Sequence, residues 1–464
     1  MRLRAKIGLG LAGFMMAGVA GAAAWLAIAP PDLLRVADGY AAKIVCSGVF
    51  ISGRDPQAIL SEDVQAPGNP ALRLVRLSIS RDEGVVSARM LGLFAPNFAV
   101  YRGPLGCASV PDGDMKMAAH LSMPRVPVVT GRDADWPDGD NAAGEPNAAI
   151  SDVIKDPAVG GPGMRAIVVI KDGRLVAESY GKGFDAGMPL LGWSMTKTVN
   201  SAIIGRLMQA RRMSFDDADL LPEWHGDSRS KITVANLLAM ESGLAFNESY
   251  GSVTDVTRML FLEPDMAAMA ASAPQVSPPK QEFHYSTGTA VLLSRIWMNR
   301  FDNQHAARDY PHDALFAPLG MSSAVLEADE HGTLVGGSYL YATARDWARF
   351  GQFLLQDGVW HGQRLLSEGF VGAMRTPTKA SNGIFTQGQA WLSAPGGGSR
   401  HFGLPLDTFW LVGHDGQSVA IVPSANIVVV RLGLTPDELN YRPQILVQKI
   451  VDALKTVKTQ RQPQ

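Results

Sequence analysis

What this chain lacks narrows the field before any motif is considered. Its 464 residues hold only two cysteines, Cys46 and Cys107, and neither belongs to a CxxC pair or has a histidine nearby at zinc-ligand spacing. A structural metal is therefore not expected. The formal net charge is −2, and no run of lysine and arginine occurs beyond the extreme N-terminus. A protein that neutralises a phosphate backbone needs a basic excess or stripe, so nucleic acid is not an expected partner. No internal repeat or low-complexity block is present, and no G-x-S-x-G elbow seats a serine for a histidine-based triad. Gly8, Gly10 and Gly13 spell G-x-G-x-x-G, but no strand precedes them and no acidic ribose partner follows. That match is a by-product of a glycine-rich apolar segment.

What is present describes a globular chain with a sizeable core, 46% apolar and 19% charged, and long enough for two or three domains. Arg2, Arg4 and Lys6 precede an uncharged stretch from Ile7 to Pro31, the order of an export signal. The apolar run is long enough to cross a bilayer, and the basic residues before it would stay cytoplasmic. Residues 1–32 are thus expected to be a membrane anchor with the body in the periplasm of a bacterial inner membrane. Cleavage near Gly21–Ala24 is the alternative. If the body is exported, Cys46 and Cys107 enter an oxidising compartment and can pair, the alternative being two unrelated buried thiols.

Residues 33–125 read as a small β-rich region, because Ala71–Ser80, Val85–Leu91 and Asn97–Arg102 alternate apolar with polar. Residues 126–162, including WPDGDNAAGEPN, read as a linker with little regular structure. From 163 to 464 the pattern is clearest. Met164–Lys171 and Arg174–Tyr180 flank Asp172-Gly173, a strong hairpin signal. A mainly helical middle follows, then strands at Thr408–Val412, Ser418–Val422 and Asn426–Leu432, and a final amphipathic helix over Arg442–Thr456. Two strands, a helical insertion, three strands and a helix predict one sheet built from distant parts of the chain, with a site at its seam with the insertion.

Three segments carry candidate chemistry. Ser194-Met195-Thr196-Lys197 opens a helical stretch, so Ser194 and Lys197 fall nearly one turn apart on one face. The helix N-terminus favours developing negative charge, and a buried lysine with a depressed pKa can take the serine proton. Three other Ser-x-x-Lys matches (Ser179–Lys182, Ser228–Lys231, Ser277–Lys280) lie at a strand end, in a polar loop and around two prolines, where no helix holds the pair together. Read locally, Ser194 is equally an N-cap with a solvated lysine. Tyr285-Ser286-Thr287 leads into a helix, and a phenol beside a cationic lysine loses its proton more easily and can relay it. Packing against a helix start is the plainer role. Gly413-His414-Asp415-Gly416 joins two late strands, where glycine lets a backbone N–H approach a substrate oxygen. A strand connection needing glycine for its backbone angles explains it equally.

Taken together, the order Ser194-x-x-Lys197, Tyr285-Ser286-Thr287, His414-Asp415-Gly416 resembles that of serine β-lactamases and penicillin-binding proteins. It is most similar to their class C-related branch of esterases and 6-aminohexanoate-oligomer hydrolases. LLAMESGL at 237–244 and GGSYLYATARDWARFGQFLLQDGVWHGQRLLS at 336–367 fit that branch, the latter reading as a structural helix with its charges outward. The resemblance covers roughly 163–455. It implies an α+β fold, an antiparallel sheet flanked by helices with a helical subdomain, here preceded by the small β-rich region. It implies Ser194 as the acylated nucleophile, Lys197 as proton acceptor and Tyr285 as a second acid/base. The backbone N–H groups of Ser194 and Gln417 would form the oxyanion hole, and His414 would take the place of the lysine in the family's Lys-Thr-Gly motif. Thr287, Asp415 and Gly416 would line the substrate site.

Two departures matter. Thr287 stands where the family's Tyr-x-Asn has asparagine, and His414-Asp415-Gly416 brings an acid where Lys-Thr-Gly binds a carboxylate. The expected function is an acyl hydrolase acting on a small ester or linear amide, with β-lactamase or D,D-peptidase activity, or a catalytically silent envelope protein, as alternatives. Residues 33–125 could instead dock a partner. No metal or organic cofactor is implied. A neutral Lys197 predicts activity rising towards mildly alkaline pH.

Overall fold

A computed structural model describes residues 2–66, 69–121, 133–141 and 146–460. The body is built on a five-stranded antiparallel sheet. Strands β5 (Met164–Lys171) and β6 (Arg174–Tyr180) form one edge, and β7 (Phe409–Gly413), β8 (Gln417–Val422) and β9 (Ile427–Gly433) complete the order β7-β8-β9-β5-β6. The β5–β6 hairpin turns on Asp172 (φ 52°) and Gly173 (φ 74°), both left-handed, as a two-residue turn matching strand twist requires. Strand β5 is an almost unbroken apolar run because both faces of the sheet are covered. Ile167 and Val169 face one core, with Ile150, Ile154, Leu446 and Ile450; Val168 and Ile170 face the other, with Phe350 and Phe353. α3 (Ala148–Lys155) and α7 (Pro443–Gln460) thus cover one face, and α6 (Ala344–Leu355) the other.

The helical insertion includes α4 (Thr196–Gln209), which follows the Ser194 turn, and α5 (Thr287–Met298), capped by the Ser286 side chain accepting from Thr289 N–H at 2.9 Å. α6 lies in the segment expected to hold its charges outward, and the structure corrects that. Asp346 and Arg349 are both 1% exposed, paired at 2.6 Å. Burial without that partner would leave an uncompensated charge.

The N-terminal region also differs from its sequence reading. Strands β1 (Val75–Ser80), β2 (Val85–Met90), β3 (Phe94–Tyr101) and β4 (Cys107–Val110) form an antiparallel sheet in sequential order, but a 19-residue helix, α2 (Asp32–Phe50), precedes and packs on it. Cys46 of α2 and Cys107 of β4 form a disulfide, with Cα atoms 6.1 Å apart. The region shares one hydrophobic core with the body. A buried carboxylate, Glu327, joins them: it pairs with the Lys43 ammonium and accepts from Ser47 Oγ at 2.8 Å and Cys107 N–H at 2.6 Å. The stretch read as a linker carries α3, whose Ile150 and Ile154 are both buried at i, i+4 spacing; residues 126–132 and 142–145 of it lie outside the described residues.

Ahead of α2, α1 (Arg2–Ile28) exposes Phe14, Met15, Trp25 and Ile28. Among the described residues no single helix is long and apolar enough to cross a membrane. Phe14–Ile28 and Asp32–Phe50 meet that requirement only as a pair bent by 58°, and the second half is largely buried in the protein.

Candidate active site

Ser194 sits in a 3-10 turn, Trp193–Met195, that runs into α4. Trp193 adopts φ 49°, a left-handed conformation that a bulky side chain takes only at a cost. Close approach of the β7 end explains how the turn is held. A Cβ on Gly413 would come within 2.2 Å of the Gly192 carbonyl oxygen, and one on Gly192 within 2.1 Å of the Trp347 ring. Gly413 therefore lets the end of β7 close on the serine turn and Gly192 lets that turn close on Trp347 of α6, and only residues without a side chain fit there.

Lys197, one turn along, is 1% exposed. Its Nζ lies 2.9 Å from Ser194 Oγ, 2.9 Å from Thr287 Oγ1 and 2.8 Å from the Gly337 carbonyl oxygen. An ammonium would donate to all three; a neutral amine has two donors and one lone pair. With the donors on Thr287 and Gly337, the lone pair faces the Ser194 hydroxyl. Burial lowers the Lys197 pKa to about 8, opposed by the charge of Glu248. Thr287 connects those two groups. Its hydroxyl donates to Glu248 Oε1 at 2.5 Å and its backbone N–H to Oε2 at 2.8 Å, while its oxygen accepts from Lys197. Burial in turn raises the Glu248 pKa, against the pull of Lys197. Thr287, expected to line the substrate site, is fully buried and holds this chain together.

Tyr285 comes to the same place. Its side chain lines the same cleft as Ser194, and Lys197 Nζ lies 4.8 Å from its ring centroid. The expectation that a neighbouring cation would ease its ionisation is corrected: burial first, then the negative Glu248, push the phenol well above its usual value. Tyr285 is a neutral hydroxyl here. Trp391 and Phe385, with ring centroids 5.1 and 5.8 Å away, fix its ring.

The fourth wall is the 413–417 turn. Asp415 (φ 56°) and Gly416 (φ 84°) are left-handed, reversing the chain between β7 and β8. The Gln417 side chain braces the turn, donating to the His414 and Asp415 carbonyls at 3.1 and 3.2 Å and accepting from Gly433 N–H at 2.9 Å. His414 stacks on Tyr250 (centroids 4.6 Å, 24° apart) and meets Trp193 edge-on at 5.6 Å. Burial raises the Asp415 pKa, with His414 opposing it.

A cleft of about 200 Å³ is lined by Ser194, Tyr285, His414, Asp415, Gly416 and Gln417, so the sequence candidates meet around one opening. Cys46 and Cys107 belong instead to the N-terminal region. Four contributors escaped sequence reading. Glu248 and Tyr250 sit in a loop with no motif, and Trp391 in a stretch without periodicity. The Gly337 carbonyl lay within a segment read as purely structural; its glycine pair was the available signal, since a Cβ on Gly337 would strike Thr287 at 2.8 Å.

The chain belongs to the beta-lactamase family, whose profile matches residues 152–443, more than half its length. Members of that family are serine hydrolases. Solved structures share the fold. A Bacillus anthracis protein provisionally described as a 6-aminohexanoate-dimer hydrolase superposes with a TM-score of 0.55 at 20% identity, covering 72% of this chain and 91% of its own. A hydrolase with promiscuous acyltransferase activity, EstCE1, has a TM-score of 0.51 at 16% identity, covering 66% and 97%. A penicillin-binding protein homologue from Caulobacter crescentus has 0.51 at 15%, covering 68% and 100%. No curated protein matches.

Proposed function

We propose that this protein hydrolyses a neutral ester or a linear amide through an acyl-enzyme on Ser194. The observation that carries the reading is the buried Lys197, its pKa lowered to about 8, in hydrogen-bond contact with the Ser194 hydroxyl. The amine takes the Ser194 proton as Oγ bonds to the substrate carbonyl carbon. The carbonyl oxygen becomes an oxyanion, held by the backbone N–H groups of Ser194 and Gln417. As the intermediate collapses, the neutral Tyr285 phenol gives its proton to the departing alkoxide or amine and regains one from Lys197. Water then repeats the sequence on the acyl-enzyme.

Charge in the cleft supports the substrate class. Glu248, Asp415 and Asp437 line it and, among the described residues, no lysine or arginine does. A substrate carboxylate of the penicillin or D-Ala-D-Ala kind would meet these acids with no lysine or arginine in the lining to bind it. The acyl-enzyme reading also fits the description of EstCE1 as a hydrolase with promiscuous acyltransferase activity. For location, the paired Cys46–Cys107 supports a body outside the cytoplasm, tethered by α1; recovery of the full chain in a soluble fraction without detergent would count against the tether.

The test compares the protein with its Ser194→Ala variant on a chromogenic acetate ester, a linear amide and a chromogenic cephalosporin. Turnover of ester or amide, absent in the variant, is expected. Cephalosporin turnover alone would favour the β-lactamase reading, and a folded protein inert on all three would favour a silent envelope protein.

A further inference from the structure

We propose that a second cavity, walled by the N-terminal region, is the subsite for a long apolar chain carried by the substrate; this rests on the acyl-hydrolase reading and deepens it. The cavity measures about 770 Å³. That is far larger than a packing void and within the range of sites that hold small molecules. Leu34, Val36 and Ala37 on the first turns of α2, with Leu72, Met90 and Phe261, give it apolar walls. Three of these belong to α2 and Leu72 and Met90 to the same N-terminal region, while Phe261 comes from the body, so the beta-lactamase-like body alone does not enclose the space.

The cavity adjoins the Ser194 cleft. Glu248, Tyr250, His414 and Asp415 line both it and the Ser194 cleft, and Trp193, the neighbour of Ser194, lines its wall. The stacked Tyr250–His414 pair stands at the junction. Most of the acidic groups therefore gather beside the scissile bond, and the wall beyond is mainly apolar, with Asn69, Ser252, Thr257 and Glu438 as its polar members. A bond at Ser194 whose chain passes Tyr250 and His414 would desolvate that chain along α2. Leu33 at the rim is 48% exposed, and α1, with Trp25 and Ile28 exposed, ends just before it. The mouth thus continues into a surface of the same apolar chemistry.

An ester or amide with a medium to long alkyl or acyl chain is the class this shape fits. Binding energy from such a remote chain raises kcat/KM when it is used at the reacting bond. Each seated methylene should raise it by up to about fourfold, from the transfer energy of one CH₂.

The full chain would be assayed on p-nitrophenyl esters from acetate to dodecanoate, and on acetates of alcohols of the same lengths, below their micellar concentrations. The same series would be run on Ala37→Trp and Leu72→Trp, which fill the cavity from two sides, with circular dichroism to show that each is folded. Expected is a rise of at least 100-fold from two to eight carbons in one of the two series, with the ratio falling towards unity in the folded filled variants. Comparable rates at all lengths in both series, or a chain preference that survives filling in both variants, would overturn the subsite. Absence of ester turnover at every length, in a folded protein, would instead refute the acyl-hydrolase reading on which it stands.

Discussion

Replacing Glu248 by glutamine tests the electrostatics of the site most sharply. The hydrogen bonds from Lys197 to Thr287 (2.9 Å) and from Thr287 to Glu248 (2.5 Å) bound the separation of amine and carboxylate to about 5.4 Å. At an effective dielectric constant near 20, such a pair attracts by roughly 3 kcal/mol, equivalent to about two pH units of lysine titration. Burial raises the Glu248 pKa and so works against its charge, and a shift of about one to two pH units is expected. The carboxylate favours the ammonium, hence its loss must favour the neutral amine. The alkaline rise of kcat/KM, centred near 8 in the wild type if Lys197 is the base, should move down in Glu248→Gln. The plateau should fall, because the amide presents an N–H to a Thr287 hydroxyl that already donates, which costs about 1–3 kcal/mol. The assay is kcat/KM against pH from 5 to 10 on one chromogenic ester. A midpoint that stays in place or moves upward would refute the reasoning: either Glu248 carries no charge there or Lys197 is not the titrating base.

Lys197→Met should lower kcat by about 10² to 10⁴, the usual worth of a positioned base, and should also lower thermal stability, because Glu248 would stay buried without the amine that faces it through Thr287; differential scanning calorimetry beside the rate assay checks both halves. Lys43→Met should destabilise by about 3–5 kcal/mol, since Glu327 would stay buried without its partner, and urea unfolding of single and Lys43→Met/Glu327→Leu double variants should show most of the loss recovered in the double. Cys46→Ser/Cys107→Ser releases a loop spanning 61 residues, and chain entropy puts the loss at about 4 kcal/mol, measured by chemical unfolding under non-reducing conditions.

Periodicity and turn chemistry made the sheet legible. Asp172-Gly173 and the three late apolar runs placed its strands to within a residue or two, because a strand covered on both faces must be apolar along its length. Helix α2 was hidden for a physical reason. Twelve of its 19 residues are buried, on nearly every side, so it shows no polar stripe, and it follows directly on another apolar helix. The charges of α6 were misread because periodicity cannot tell a solvated ion from one paired inside the protein, as Asp346 and Arg349 are. At the site, Ser194 and Lys197 were legible because helical geometry fixes a spacing of three. Glu248 was not, since only the tertiary fold brings its loop beneath Thr287. Thr287 looked like the loss of an amide ligand; its buried hydroxyl instead couples the base to a carboxylate.

The central claim, that Ser194 is the nucleophile and Lys197 its base, is tested most directly by covalent labelling. The protein, Ser194→Ala and Lys197→Met would each be exposed to a fluorophosphonate, then digested and mapped by mass spectrometry. The account predicts one adduct, on Ser194, absent in Ser194→Ala and formed at least 100-fold more slowly in Lys197→Met. A folded wild-type protein that labels on another serine, or labels at the same rate without Lys197, would contradict it.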